Sequence, residues 1–377
     1  FFLHPQPANP DPLWSRGLGD VYKRQMEISA RSFLEDLLSA PGVSGYEQAV
    51  QEIVLDYVKP FAEEVETDLH GNVIATINAV GSPTLMFDGH CDQLGMVVSH
   101  IDESGYLFFQ TVGGWDPQQL VGQRVNVWAA DPTVPGVISR KAIHLLTDDE
   151  KKKVVDPEKM WVDIGAKDRG DAASVISIGD AITVQLGIQE MWNGIANAPA
   201  MDNRTGVWVV FEAMRRAADK GVSCKLVVAS TVQEEIGLRG ARTAAYSIDP
   251  QVAIAVDVTH ATDCPGVDKR QLGIIDLGSG PVIPRGPNIN PRVHQRLELI
   301  AKTAEIPFQV AALGRAAPND SNALQITRAG VATGLVQLPN RYMHSAVETV
   351  ALSDLDDAAN LLAQFACEIC PEDSFVP

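Results

Sequence analysis

The stretch Cys224-Lys-Leu-Val-Val-Ala-Ser-Thr-Val-Gln-Glu-Glu-Ile-Gly-Leu-Arg-Gly240 decides how the chain is read. Its first half is a largely apolar run that reads as a strand. Neighbouring side chains on a strand point to opposite faces, so Glu234 and Glu235 can serve one site only where the strand gives way to a loop. Gly237 and Gly240 follow at once, which permits unusual backbone geometry and leaves the space above the strand end open. Crevices at the carboxyl ends of strands are where α/β proteins keep their chemistry. An isolated Glu-Glu pair more often caps a helix or stays solvated. What overturns that reading is the rest of the chain.

On the N-terminal side, Phe33, Leu34, Leu37 and Leu38 recur at helical spacing up to Ala40-Pro41-Gly42. A second helix is expected over 47–57, with Val50, Ile53, Val54 and Tyr57 on one face. Strand-like runs follow at 65–69, 72–77 and 84–87, and the last delivers Asp88-Gly-His-Cys-Asp92. Between 97 and 190 the texture changes. Short pieces at 97–101, 106–110, 124–128, 135–139 and 181–185 are separated by Gly, Pro and Asp turns, which predicts a small all-β barrel or sandwich.

Alternation then resumes. Helix 203–218, strand 224–232, helix 239–246 and a strand 252–257 closed by Asp257 are followed by helices 291–304 and 320–328, strand 331–337, and a helix 354–370 capped by Ser353. The expected architecture is α/β, with a catalytic domain built from 26–96 and 190–377 and an all-β domain, 97–189, inserted into it. Residues 1–25, rich in proline and without helical period or a signal-peptide core, read as a foreign leader expected to be disordered.

Composition narrows the partners. AVILMFWYC residues make up 45% and charged residues 21%, the balance of a soluble globular protein. The net charge of −18 disfavours nucleic acid and anionic membrane, both of which repel it at long range. No apolar run approaches the roughly 18–20 residues of a membrane span. The five cysteines (Cys91, Cys224, Cys264, Cys367 and Cys370) are odd in number and scattered, which argues for a reducing compartment, the cytoplasm, rather than a disulfide framework. Cys367-x-x-Cys370 has no second pair and closes the last helix, so it is not read as a metal site.

Acids and histidines gather at loop positions: His90 and Asp92, Asp202, Glu234 and Glu235, Asp257, and His344. His90-x-Asp92 puts both side chains on one face of an extended segment, where Asp92 can orient the imidazole. Two histidines with three or four carboxylates form a hard-to-borderline ligand set suited to zinc, cobalt or manganese. A pair of such ions needs one bridging carboxylate and one free carboxylate to take a proton from water, and the inventory fits that count.

The motifs Ala198-Pro-Ala-Met-Asp-Asn-Arg204, Val232-Gln-Glu-Glu-Ile-Gly-Leu-Arg-Gly-Ala241, Asp257-Val-Thr-His-Ala-Thr-Asp263 and Arg341-Tyr-Met-His-Ser-Ala-Val-Glu348 resemble the glutamyl-aminopeptidase/tetrahedral aminopeptidase family of two-metal exopeptidases. Gly113-Gly-Trp-Asp-Pro-Gln118 and Gly136-Val-Ile-Ser-Arg-Lys-Ala-Ile-His-Leu-Leu146 are similar to stretches of that family's inserted domain. The resemblance spans about Met26 to Cys370. It implies a mixed-sheet zinc-exopeptidase fold whose inserted barrel builds dimers that assemble into a dodecamer, and stands away from the scissile bond.

The same resemblance implies that His90, Asp202 and Asp257 hold one metal, with Asp202 bridging. Glu235 and His344 complete the other, Glu234 is the general base and acid, and Asp92 orients His90. Two divalent ions, zinc first, and short peptide substrates follow. A deacylase or glycosidase (glucanase-like) acting on a non-peptide substrate is the alternative. The first motif reads Gly89-His-Cys-Asp-Gln-Leu-Gly95 where the family usually has Ala-His-Met-Asp-Glu-Ile-Gly. Pro318-Asn-Asp-Ser-Asn-Ala323 stands where Gly-Thr-Asp-Ala is common. Both departures bear on substrate preference.

Overall fold

A computed structural model describes residues 26–129 and 133–377; the expectation for the leader lies outside them. Three strands precede the first change of texture: β1 (Glu64–Thr67), β2 (Val73–Ile77) and β3 (Thr84–His90). The barrel strands are β4 (Gly95–Ile101), β5 (Leu107–Val112), β6 (Arg124–Trp128), β7 (Val134–Arg140), β8 (Met160–Asp163) and β9 (Ala181–Val184). The remainder are β10 (Gln189–Glu190), β11 (Ile195–Asn197), β12 (Lys225–Thr231), β13 (Val252–His260), β14 (Ala332–Asn340) and β15 (Thr349–Ala351). The main sheet has the order β1-β2-β12-β3-β13-β14. Its β12-β3-β13-β14 portion is parallel and its β1-β2 edge antiparallel, so the sheet is mixed, as expected.

Alternation along the strands sorts the core into two layers. Val73, Ala75, Leu85, Phe87, Leu226, Val228, Ile254 and Val256 face one layer with the helices Ile28–Ser39, Gln48–Val58, Met201–Lys220, Pro291–Thr303 and Leu352–Glu368. Ile74, Met86, Val227, Ala229, Ala253, Ala255 and Leu335 face the other, with the helices Arg239–Ile248 and Asp320–Gln325. Strands covered on both sides read as apolar runs rather than alternating ones, which is the pattern of the opening stretch.

The strands from β4 to β9 close into a barrel in the order β4-β5-β8-β7-β6-β9, around a separate core that includes Met96, Leu107, Val125, Ile138 and Val162. The fold is therefore an α/β unit with a mixed sheet and a small all-β barrel. Two local expectations are corrected. Asp257 does not close its strand: β13 continues to His260 because β14 pairs with it throughout, Asp257 with Gln337 and His260 with Asn340. Ser353 does not cap the last helix, which starts two residues earlier than expected, at Leu352, with Ala351 at the cap and no side-chain cap bond.

Two features bring helix Met201–Lys220 onto the end of β3. A Cβ on Gly89 would lie 2.9 Å from the backbone of Gly206 and Val207, so only glycine permits this approach. Arg204, fully buried, donates from Nε to Cys91 O (3.2 Å), from Nη1 to Leu37 O (2.6 Å) and Ala40 O, and from Nη2 to Gln93 Oε1 (2.6 Å). One guanidinium thus satisfies three backbone carbonyls, two of them at the end of the first helix, and a side-chain amide that would otherwise be orphaned. Replacing it by alanine (R204A) leaves these acceptors dry and unpaired, and should cost about 3–5 kcal/mol in chemical denaturation. A loss below about 1 kcal/mol would mean that the loops re-pair without it.

Candidate metal centre

Apart from Asp257, which lies within β13, each site residue sits where an element ends or is interrupted. His90 is the last residue of β3, and Asp92 follows as the chain leaves the sheet. The Asp92 carboxylate is fully buried and accepts from Ser44 Oγ (2.6 Å), from the Glu234 N–H (2.9 Å) and from the Glu235 N–H (3.2 Å). Its Oδ1 also lies 3.4 Å from His90 Nδ1. One carboxylate therefore orients the imidazole and pins the backbone of the paired glutamates. Burial alone would raise its pKa, but the hydrogen bond and charge of His90, the Ser44 hydroxyl and the Glu234 N–H hold it below the usual carboxylate range.

The turn after β12 separates the two glutamates. Gln233 and Leu238 are left-handed, with φ of 58° and 56°, and Gly237 has φ 128°. The Gln233 N–H is held by Glu47 Oε1 at 3.2 Å, and the N–H groups of Gly237 and Leu238 return to Glu234 O at 2.8 and 2.9 Å. Glu234 Oε2 then lies 3.9 Å from His90 Nε2, whereas Glu235 Oε2 lies 3.6 Å from His344 Nε2. Adjacent residues are thus aimed at different histidines.

Asp202 stands between those histidines. Its Oδ1 is 3.3 Å from His90 Nε2 and its Oδ2 3.4 Å from His344 Nε2. It lies at the start of helix Met201–Lys220 but does not cap it: Ala200 occupies the cap position with φ 64°, and Asp202 itself is non-helical. Asp257 Oδ1 comes within 3.8 Å of His90 Nε2. Two groups of converging ligand atoms result, each within 4.8 Å: His90, Asp202 and Asp257, and Asp202, Glu235 and His344. Asp202 belongs to both, and Glu234 to neither.

The site carries more buried negative charge than its histidines can balance. Burial, with Asp320, Asp257 and Glu235 nearby, pushes Glu234 up to about 11 against the opposing pull of His90. Burial and Asp202 push Glu235 up to about 8 and Asp257 up to about 7. The hydrogen bond to Asp202 raises His344 to about 9. His90 is raised well above its ordinary value by the charge of Glu234 and by its bonds to Asp202 and Asp92, against the effect of burial. Carboxylates forced to hold protons in a buried cluster lack a cation. Glu235 Oε1 is buried without a partner, and oxygen and imidazole donors without a thiolate suit divalent zinc, cobalt or manganese. The residues present therefore fit a pair of divalent ions.

Comparison with known proteins gives the family. The model of the M42 glutamyl aminopeptidase family matches residues 71–361. The chain belongs to the M42 glutamyl aminopeptidase family. A lysyl aminopeptidase of Pyrococcus furiosus is 36% identical over 348 residues, spanning 91% of this chain and 98% of that protein. A solved TET aminopeptidase from a marine sediment Thaumarchaeota archaeon superposes with a TM-score of 0.87 at 34% identity, covering 91% of this chain and 97% of its own. The Pyrococcus horikoshii TET1 peptidase, described as able to assemble into a tetrahedron or a large octahedral shell, gives a TM-score of 0.80 at 28% identity, with 90% and 100% covered.

In this M42 chain the seven expected site residues come together, and three further acids support them that spacing alone did not single out. Glu348, buried, accepts the Asp202 N–H at Oε2 (2.9 Å) and the His344 N–H at Oε1 (2.7 Å), so it holds two of the converging residues by their backbones. Glu47 holds Gln233, as described above. Asp320 takes a bond from Thr231 Oγ1 (3.2 Å) beneath the site. The only signals were Glu348 closing the His344 motif and Asp320 lying in a quoted departure.

The sign of the pH dependence follows from the raised pKa values. Glu235, Asp257 and His344 hold protons in the cation-free chain near neutrality, and a cation must displace them. Apparent metal affinity should therefore rise from pH 6 to pH 8 with protons released, measurable by calorimetric titration of the metal-free protein in buffers of different ionisation enthalpy. An affinity independent of pH over that range would contradict the ligand set.

Proposed function

We propose that this M42 aminopeptidase removes N-terminal residues from short peptides with two divalent ions, held by His90, Asp202 and Asp257 on one side and by Asp202, Glu235 and His344 on the other. The observation that carries this reading is Asp202, whose two carboxylate oxygens face two different histidines while Glu234 remains outside both groups. Such ions, zinc first and cobalt or manganese next, would supply Lewis acidity to the scissile carbonyl and lower the pKa of water towards neutrality.

The chain's own residues do the rest. Glu234, anchored through its N–H to Asp92, takes the proton from the attacking water at its carboxylate and returns it to the leaving nitrogen. Burial and neighbouring acids raise its proton affinity in the cation-free chain, and it can act as the base once bound cations have lowered that affinity. Asp92 keeps the His90 ring in place throughout. The surplus of carboxylates draws in the positively charged α-amine of a peptide, which confines cleavage to the N-terminus.

The domain limits 26–96 with 190–377 for catalysis and 97–189 for the inserted barrel belong to the same proposal. So do self-association through the barrel into dimers that build a dodecamer, and a cytoplasmic location. Among the described residues no helix is long and apolar enough to cross a membrane.

Substitution separates the roles. Glu234→Gln should keep two ions per chain, by elemental analysis, while kcat falls by roughly 10²–10⁴-fold. Glu235→Ala and His344→Ala should lose one ion. Substantial turnover by Glu234→Gln would remove its assignment as base. A panel of aminoacyl p-nitroanilides, N-acyl amino acids and glucans, run with zinc, cobalt and manganese, should give turnover only on the free-amine substrates. Faster hydrolysis of acylated amino acids or glucans would favour the deacylase or glycosidase reading.

A further inference from the structure

The two sets of converging residues are not equally enclosed. His90 has a side chain 2% exposed and is braced at Nδ1 by a carboxylate of its own segment, whereas the His344 side chain is 37% exposed. The ring partner of His344 comes from the barrel: its Nδ1 lies 3.2 Å from Gly114 O. With a proton on Nδ1 donated to that carbonyl, the Nε2 lone pair is left to face Asp202 and Glu235.

The loop that presents this carbonyl is built for close approach. It leaves β5 at Val112. Gly113 is left-handed, with φ 78°, and a Cβ on it would drive into Leu94 and come within 3.6 Å of Glu235 Cβ. A Cβ on Gly114 would stand 3.2 Å from Nδ1 and 3.5 Å from Cε1 of His344. Trp115 anchors the turn, its Nε1–H donating to Gly95 O at 3.0 Å while the ring packs on the barrel core. Gly95 pairs with Val112, so the anchor is the first rung of the β4–β5 ladder. The backbone of His344, also left-handed at φ 62°, is fixed separately by Glu348.

We propose that the Gly113-Gly114-Trp115 loop of the barrel is the positioning element of the exposed ligand His344, fixing its tautomer and ring plane and thereby setting the affinity of the second cation alone. The barrel is then part of the metal centre, through a backbone carbonyl, although it contributes none of the proposed ligands. This inference rests on the two-cation reading given above.

The test is equilibrium dialysis of the metal-free full-length chain against cobalt(II), with elemental analysis giving two affinities for the wild type. Gly114→Ala crowds the ring and should weaken only the second cation, by about tenfold to a hundredfold, the usual effect of losing an outer partner of a ligating histidine. Excess cobalt should then restore turnover, because every ligand and Glu234 remain. Trp115→Phe keeps the packing but loses the anchor, and should weaken the same cation to a smaller degree; it decides the question alone should Gly114→Ala fail to fold. Wild-type affinity for both cations in the folded variants, or equal weakening of both, would overturn the role of the loop. A wild-type chain that takes only one cation would instead overturn the two-cation reading and this inference with it.

Discussion

The buried Asp92 carboxylate joins everything that the site requires. It sits where β3 ends, touches the His90 ring and accepts the N–H groups of Glu234 and Glu235 from the end of β12. The two strands run parallel and in register from Lys225 opposite Thr84 to Thr231 opposite His90, so their carboxyl ends open at the same level. A parallel sheet alone would leave those ends as two unrelated loops. Asp92 converts them into one surface, and Ser44 and Glu47 from the first loop close it from the side.

That arrangement concentrates negative charge. Asp92, Asp202, Glu234, Glu235, Asp257, Asp320 and Glu348 lie in a region with two histidines for compensation. Packing such charge out of water is unfavourable unless cations or donors answer it. Backbone N–H groups answer part: Asp92 and Glu348 each accept two. The remainder, on Glu235 and Asp257, is the part that divalent ions would neutralise. The same logic separates the supporting acids from the proposed ligands, since an acid already occupied by two N–H donors has little left to offer a cation.

Much of this was legible in the sequence because strand ends announce themselves. The apolar run before Glu234, the β3 run before His90 and the motif around Asp202 each placed an acid or histidine where regular structure stops. The change of texture after residue 97 marked the barrel, since turn residues at short intervals leave no room for long helices. What was missed has physical reasons. β8 is four residues, Met160–Asp163, behind a turn at Pro157, too short to show a period. β13 outruns Asp257 because β14 supplies partners that no local pattern contains. Glu348 acts on a backbone N–H 146 residues away, and Gly114 reaches His344 across 230 residues, so both contacts exist only once the chain has folded.

The central claim is that one carboxylate, Asp202, serves two cations while Glu234 serves none. Anomalous diffraction from crystals of the zinc-loaded protein tests it most directly. The account predicts two zinc peaks per chain, both in contact with Asp202, one beside His90 and Asp257 and the other beside Glu235 and His344, with Glu234 bound to neither. A single peak, or a peak coordinated by Glu234 in place of Asp202, would contradict it.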